Sequence, residues 1–157
     1  MKKFLIILLA LIVFTPQLNG QSKDEAAIKA DIVKTWKDAA ERKIDKSLFD
    51  KDHITSAYST GGLWVNETGD EMANNIVGGP NTFVLTPFHI NVRILGSKKD
   101  VAYTSYYLAG NIMRGDKVIV SNYRTRISQV SEKRGGTWVT VANHASPLFG
   151  GSGIRFE

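Results

Sequence analysis

The chain has 157 residues, with 20 lysines and arginines against 15 aspartates and glutamates, and it contains no cysteine. This length suits a single domain with a sizeable core, and the lack of cysteine excludes disulfides as the source of its stability. The basic residues are spread along the chain in company with acids, which argues against a nucleic-acid partner.

The first segment of the chain is typical of a secretory signal peptide. Lys2 and Lys3 precede an unbroken apolar run over residues 4–14, and polar and small residues follow as far as Gly20. The run is shorter than the roughly 20 residues of a membrane-spanning helix, so we expect cleavage and no membrane attachment afterwards. Residues 1–20 are therefore predicted to be a signal peptide, and the mature protein is expected to be secreted or periplasmic in a bacterial envelope.

The first helix of the mature chain is predicted to begin at Ser22. Ser22 and Glu25 have the spacing of a capping box, in which each side chain accepts from the other residue's backbone amide. Apolar residues, Trp36 among them, then recur at steps of three and four, while charged residues such as Asp31 occupy the opposite side. The pattern predicts one long amphipathic helix.

Two shorter helices are predicted further along the chain. A cap at Asp45 should begin a short helix that ends around residues 52–53. Thr68 and Glu71 repeat the capping-box spacing, and the helix that they begin should stop at residues 78–80, where two glycines and a proline follow one another.

From residue 54 onward, β-branched and aromatic residues alternate in runs divided by glycine, which predicts strands. Residues 54–60 and 63–66 flank a Gly-Gly pair suited to a hairpin turn. Four longer strands are predicted at 86–95, 101–113, 117–130 and 137–146. Helices followed by hairpin-linked strands indicate an α+β domain whose antiparallel sheet is covered on one face by helices. No carboxylate falls inside a predicted strand.

The last two predicted strands carry a pattern of Arg-x-Thr-x-Val type, then a basic turn with Gly-x-Trp and a closing His-x-Ser. Here it is formed by Arg126, Ser128, Val130, Lys133, Gly135, Gly136, Trp138, His144 and Ser146. It resembles the SnoaL-like branch of the nuclear transport factor 2-like superfamily, near the calcium/calmodulin-dependent kinase II association domain. The resemblance implies a cone-shaped fold over residues 21–148, in which a curved antiparallel sheet wraps around the long first helix. It further implies a cavity at the open end and a homodimer formed through the sheet. Separately, the glycine-rich sequence of residues 149–157 predicts a flexible tail.

Candidate ligand-binding residues are of two kinds. The polar ones offer imidazole, guanidinium and amide groups suited to an anionic ligand: His89, Asn91, Arg93, Arg126 and His144. The aromatic ones suit the wall of an apolar cavity: Trp36, Tyr58, Trp64 and Tyr107.

Three functions remain open on this basis. The missing strand carboxylate argues against carbanion chemistry of the ketosteroid isomerase kind and favours a non-catalytic binding protein for a small anionic or partly apolar ligand. The first alternative is a cyclase, isomerase or dehydratase type of enzyme with His144 or His89 as the base. The second is a protein assembly module. The histidines lack the spacing of metal ligands, so neither a metal site nor a cofactor is predicted.

Overall fold

The computed structural model describes residues 22–55 and 66–148 of the chain. In chain order its elements are α1 (Lys23–Ala40), a 3-10 turn (Lys46–Leu48), β1 (Phe49–Thr55), α2 (Gly69–Gly78), β2 (Thr82–Leu95), β3 (Val101–Arg114), β4 (Lys117–Arg134) and β5 (Thr137–Pro147). The four longer strands are present where they were predicted, with ends that differ by a few residues. The hairpin predicted around Gly61 and Gly62 lies outside the described residues.

Both predicted capping boxes are present. The Ser22 hydroxyl accepts from the amide of Glu25 at 3.1 Å while the Glu25 carboxylate accepts from the amide of Ser22 at 3.3 Å. Thr68 and Glu71 form the same pair at the start of α2. Each cap satisfies backbone amides that the first turn of a helix leaves unpaired, and a cap of this type contributes about 1 kcal/mol.

The five strands form one sheet in the order β1-β5-β4-β3-β2. The pairs β2–β3, β3–β4 and β4–β5 are antiparallel, as the predicted hairpins require. Strand β1 joins the free edge of β5 in parallel orientation, so the sheet is mixed and not wholly antiparallel as expected. The α+β class and the packing of the sheet on the first helix are confirmed.

The segment after Asp45 differs from its prediction. Asp45 does cap a turn, since its carboxylate accepts from the amide of Ser47 at 3.1 Å, but this turn ends at Leu48. The chain then continues as β1, because pairing with β5 supplies backbone hydrogen bonds that a short isolated helix lacks. As a result Asp50 and Asp52 lie in a strand, and Glu132 lies within the longer β4, contrary to the expectation that no strand holds a carboxylate.

Irregularities bend the sheet towards α1. The pairing register shifts between Phe88 and Asn91 in β2–β3 and again between Val130 and Ser131 in β4–β5. At Gly110 a Cβ atom would lie 2.1 Å from the carbonyl oxygen of Val84, so only glycine allows the two strands to approach there. Bulges and a strand glycine are the usual means by which a sheet acquires curvature.

The core lies between α1 and the concave face of the sheet. Ile28 and Ile32 of α1 are buried against Leu108, Ile127 and other strand residues. Burying each such aliphatic side chain contributes roughly 2 kcal/mol, which is why this face of α1 determines the packing. Within the described part of the chain, neither helix is long and apolar enough to cross a membrane.

Candidate functional site

A cavity of about 380 Å³ lies between α1, α2 and the concave face of the sheet. Its wall is largely apolar, with side chains from both helices and from β2 to β5. The helix α1 contributes residues at steps of one helical turn, namely Ile28, Asp31, Ile32, Thr35, Trp36 and Ala39. Trp36, one of the predicted ligand-binding residues, lies on this wall.

Two carboxylates line this cavity. Asp31 projects from α1 on the same stripe as Ile28, and Glu67 lies just before α2. Glu67 is only 8% exposed and accepts a hydrogen bond from the side-chain amide of Asn75. The prediction that Asp31 lies on the side of the helix opposite the apolar residues is therefore wrong, and the cavity contains acids although neither of the two comes from a strand.

The pKa of Asp31 is raised above its ordinary value. Partial burial is the main cause, because it disfavours the charged carboxylate; the nearby Lys34 ammonium lowers the pKa and the Asp45 carboxylate raises it further. A carboxyl group in this state takes up a proton more readily than one in water, so it can serve as an acceptor or as a proton-transferring group at the wall of the cavity.

A buried tyrosine, Tyr106, also lines the cavity. The indole Nε1 of Trp36 donates to the hydroxyl of Tyr106 over 3.3 Å. Burial raises the pKa of Tyr106 to about 12, and the bond from Trp36 opposes that rise. The phenol thus stays protonated at any physiological pH and remains a hydrogen-bond donor.

Amide and hydroxyl groups complete the polar part of the wall. The side-chain amide of Gln129 donates to Oγ1 of Thr140 at 2.9 Å and to Oγ of Ser131 at 3.2 Å. All three residues are buried on the concave face and line the cavity. These hydrogen bonds satisfy groups whose burial would otherwise be costly, and they hold the amide in one orientation.

The predicted histidines and their neighbours lie elsewhere. His89, Asn91, Tyr107, Arg126 and His144 line a second hollow, of about 410 Å³, on the opposite face of the sheet. Successive side chains of a strand point to opposite faces of its sheet. Along β3 and β4, residues such as Tyr107 and Arg126 alternate with the buried residues that face α1, so they lie on the other face. We call this surface the outer face. The five residues named above do not line the cavity that contains Trp36, whereas Tyr106 and Ile127 contribute to the walls of both spaces.

The three remaining predicted ligand-binding residues are Arg93, Tyr58 and Trp64, and the described part of the structure places none of them in the cavity or in the outer hollow. Arg93 is exposed on the outer face of β2, where it pairs with Tyr103, but it lines neither the cavity nor the hollow. Tyr58 and Trp64 lie outside the described residues. Over residues 22–55 and 66–148, no group of three or more histidine and acidic side chains is placed to hold a metal ion.

Sequence reasoning missed Asp31 and Glu67 for different reasons. Asp31 lies three residues after Ile28 and four before Thr35, so a wider apolar stripe would have included it. Glu67 precedes a helix cap and carries no periodic signal of its own. Glu67 lines the cavity because α2 packs beside it in the tertiary structure, which no local pattern in the sequence predicts.

Several solved structures share this architecture at low sequence identity. A nuclear transport factor 2-like protein from Cytophaga hutchinsonii gives a TM-score of 0.62 at 12% identity, over 81% of this chain and 99% of that one. The CamKII hub homology domain of Chlamydomonas reinhardtii gives 0.61 at 16% identity, over 81% and 99%. A ketosteroid isomerase-like protein from Erwinia carotovora atroseptica gives 0.61 at 15% identity, over 82% and 99%. No family model and no curated protein matches the sequence.

These likenesses establish the nuclear transport factor 2-like fold for this chain. The resemblance drawn from the pattern of the last two strands is thereby confirmed at the level of fold, and a hub domain is among the structural neighbours. The same fold serves proteins of different activities, so function has to be argued from the cavity and the outer face of this chain.

Proposed function

We propose that this chain is an exported binding protein for a small, mostly apolar molecule that carries a hydroxyl or amine group. The observation that carries the proposal is the cavity of about 380 Å³, which has an apolar wall and a few polar groups at defined places. Small-molecule sites typically enclose 300–1,000 Å³ or so with this composition. Export rests on the sequence of residues 1–20 alone, and the intact mass of protein purified from its natural host tests it.

The polarity of the wall favours a hydrogen-bond donor on the ligand. The carboxylates of Asp31 and Glu67 are acceptors when ionised, and they would repel an anion placed beside them. The anionic ligand considered from the sequence is therefore not the one proposed for this cavity. An alcohol or amine should bind more tightly than the carboxylic acid with the same apolar body.

A matched pair of substitutions on β5 tests this proposal. Ala145 lines the cavity, whereas Ala142 lies on the same strand and does not. Leucine at position 145 should fill part of the cavity and abolish the thermal stabilisation that a ligand gives to the parent. Leucine at position 142 should leave that stabilisation intact.

The assay is thermal unfolding with a panel of aliphatic and aromatic alcohols, amines and carboxylic acids, together with native mass spectrometry for co-purifying molecules. A bound ligand at 100 times its Kd would stabilise the fold by roughly 2.7 kcal/mol, which is easily measured. If no member of the panel stabilises the parent, or if Ala145→Leu and Ala142→Leu lose the effect equally, the proposal is wrong.

A second candidate is an enzyme that transfers a proton within the cavity, and the raised pKa of Asp31 favours it. Asp31 would then be the base in place of the cavity histidine considered above, because His89 and His144 line the outer hollow. Turnover of a panel member that is lost in Asp31→Asn and retained in Asp38→Asn would support catalysis, because Asp38 lies on the same helix but does not line the cavity. Binding without turnover supports the first candidate.

We also propose a homodimer formed through β2, at the margin of the outer face. Large apolar side chains are exposed along that strand, namely Val84, Phe88 and Leu95, and they do not line the second hollow. One structural neighbour is described as a hub domain. Exposed apolar surface of this kind usually marks an interaction site, and sedimentation velocity of the purified protein measures its mass in solution.

A further inference from the structure

The hollow on the outer face is built from four strands in register. One row of directly paired residues crosses it from β2 to β5, and a second row lies beside it. The first row is Asn91, Ser105, Ser128 and His144, and the second is Tyr107, Arg126 and Ser146. A rigid sheet therefore holds amide, hydroxyl, imidazole and guanidinium groups at the spacing of neighbouring strands, about 5 Å.

Arg126 is the permanent charge of this hollow. Its Nε donates to the hydroxyl of Ser146 at 2.7 Å, which fixes the plane of the guanidinium group. Among the described residues, no aspartate or glutamate lines the hollow and none forms an ion pair with Arg126. The terminal nitrogens of the guanidinium group thus present a positive charge that no carboxylate in this part of the chain neutralises.

The backbone is distorted where His89 enters the hollow. His89 has a φ of 49°, in the left-handed region that side chains other than glycine rarely adopt, and it lies within the bulge between Phe88 and Asn91. The Asn91 side chain donates to the carbonyl oxygen of His89 at 3.0 Å, and the imidazole meets the ring of Tyr107 edge-on at 6.1 Å. Bulges of this kind redirect a side chain, and strained residues cluster at functional sites.

We propose that the outer hollow binds a small oxyanion, a carboxylate or a phosphate group, through Arg126 with His89, Asn91 and His144 around it. Guanidinium and imidazole groups are the usual partners of such anions, and the hydroxyls of the two rows can donate as well. This site is separate from the cavity of the proposed function, whose wall carries carboxylates and suits the opposite kind of ligand. The two sites can therefore succeed or fail independently.

Three variants that each lower the net charge by one test the proposal. Arg126→Gln removes the charge from the hollow, and Asn91→Asp places a carboxylate in it without changing the side chain's shape. Arg124→Gln is the matched control, because Arg124 lies two residues away on the same exposed face of β4 and does not line the hollow. Circular dichroism of each variant checks that the fold is retained.

Isothermal titration calorimetry with inorganic phosphate and with acetate, against sodium chloride of equal ionic strength, measures binding to the full chain. We expect saturable binding of at least one oxyanion to the parent, weakened at least tenfold by Arg126→Gln and by Asn91→Asp and less than twofold by Arg124→Gln. The anion that binds more tightly identifies the group recognised.

Two results would overturn the proposal. One is the absence of saturable binding of both oxyanions to the parent. If Arg126→Gln then also changes the oligomeric state, the hollow would be assigned to contacts between two copies of the chain. The other is an equal loss in all three variants, because it would mean that net charge alone attracts the anion.

Discussion

The phenol of Tyr106 should make the stability of this domain depend on alkaline pH. Tyr106 is 5% exposed, and its pKa rises from 10.0 to about 12 in the folded chain. The unfolded chain exposes the same phenol to water, so folding favours the protonated form. Its contribution to stability is complete below about pH 10, where both states hold the proton, and is lost as the pH rises from about 10 towards about 12.

The size of this effect follows from the difference between the two pKa values. Each unit corresponds to about 1.4 kcal/mol, so the two units between 10.0 and about 12 correspond to roughly 3 kcal/mol above the folded pKa. Roughly half of that is lost at about pH 11. Tyr106→Phe keeps the ring and removes the ionisable group, at a cost of about 1 kcal/mol at neutral pH for the hydrogen bond from Trp36.

Urea unfolding of the parent and of Tyr106→Phe, at about pH 8 and about pH 11, measures the effect. The parent should lose about 1.4 kcal/mol more than the variant between the two conditions, since lysines and the other tyrosines contribute equally to both proteins. Equal losses would refute the reasoning, because they would mean that Tyr106 ionises as readily in the folded chain as in the unfolded one.

Two further substitutions test the packing by equilibrium unfolding. Ile28→Ala, in the buried stripe of α1, should cost about 2–4 kcal/mol, whereas Val33→Ala on the exposed side of that helix should change stability by less than about 0.5 kcal/mol; comparable costs would contradict the packing of α1 described above. The Thr104 hydroxyl is buried with no hydrogen-bond partner in the described part of the chain, so Thr104→Val should stabilise the domain by about 1 kcal/mol. A loss of stability in that variant would show that the hydroxyl has a partner after all.

The sequence by itself determined the local structure of this protein. Capping boxes at Ser22 and Thr68 act over three residues, so they locate helix starts without reference to the rest of the chain. Alternation along β2 to β5 likewise predicts strands, and the turn at Gly135 and Gly136 adopts the positive φ angles that glycine permits. These predictions were confirmed because each depends on residues that are close together in the chain.

The position of the candidate sites depended on contacts between distant parts of the chain. Alternation shows that Arg124 and Arg126 share a face of β4, but it does not say which face meets α1, and only the burial of Ile28 and its neighbours decides that. Because of this packing, Arg126 and His144 line the outer hollow, whereas the acids Asp31 and Glu67 line the cavity.

The edge strand shows the same division. A local cap signal at Asp45 precedes residues 49–55, yet these residues form β1 because the free edge of β5 offers backbone partners. A parallel pairing between segments this far apart in the chain leaves no short-range pattern in the sequence. Local hydrogen bonds thus determined where helices and strands begin, whereas burial against a distant surface decided which side chains face the cavity.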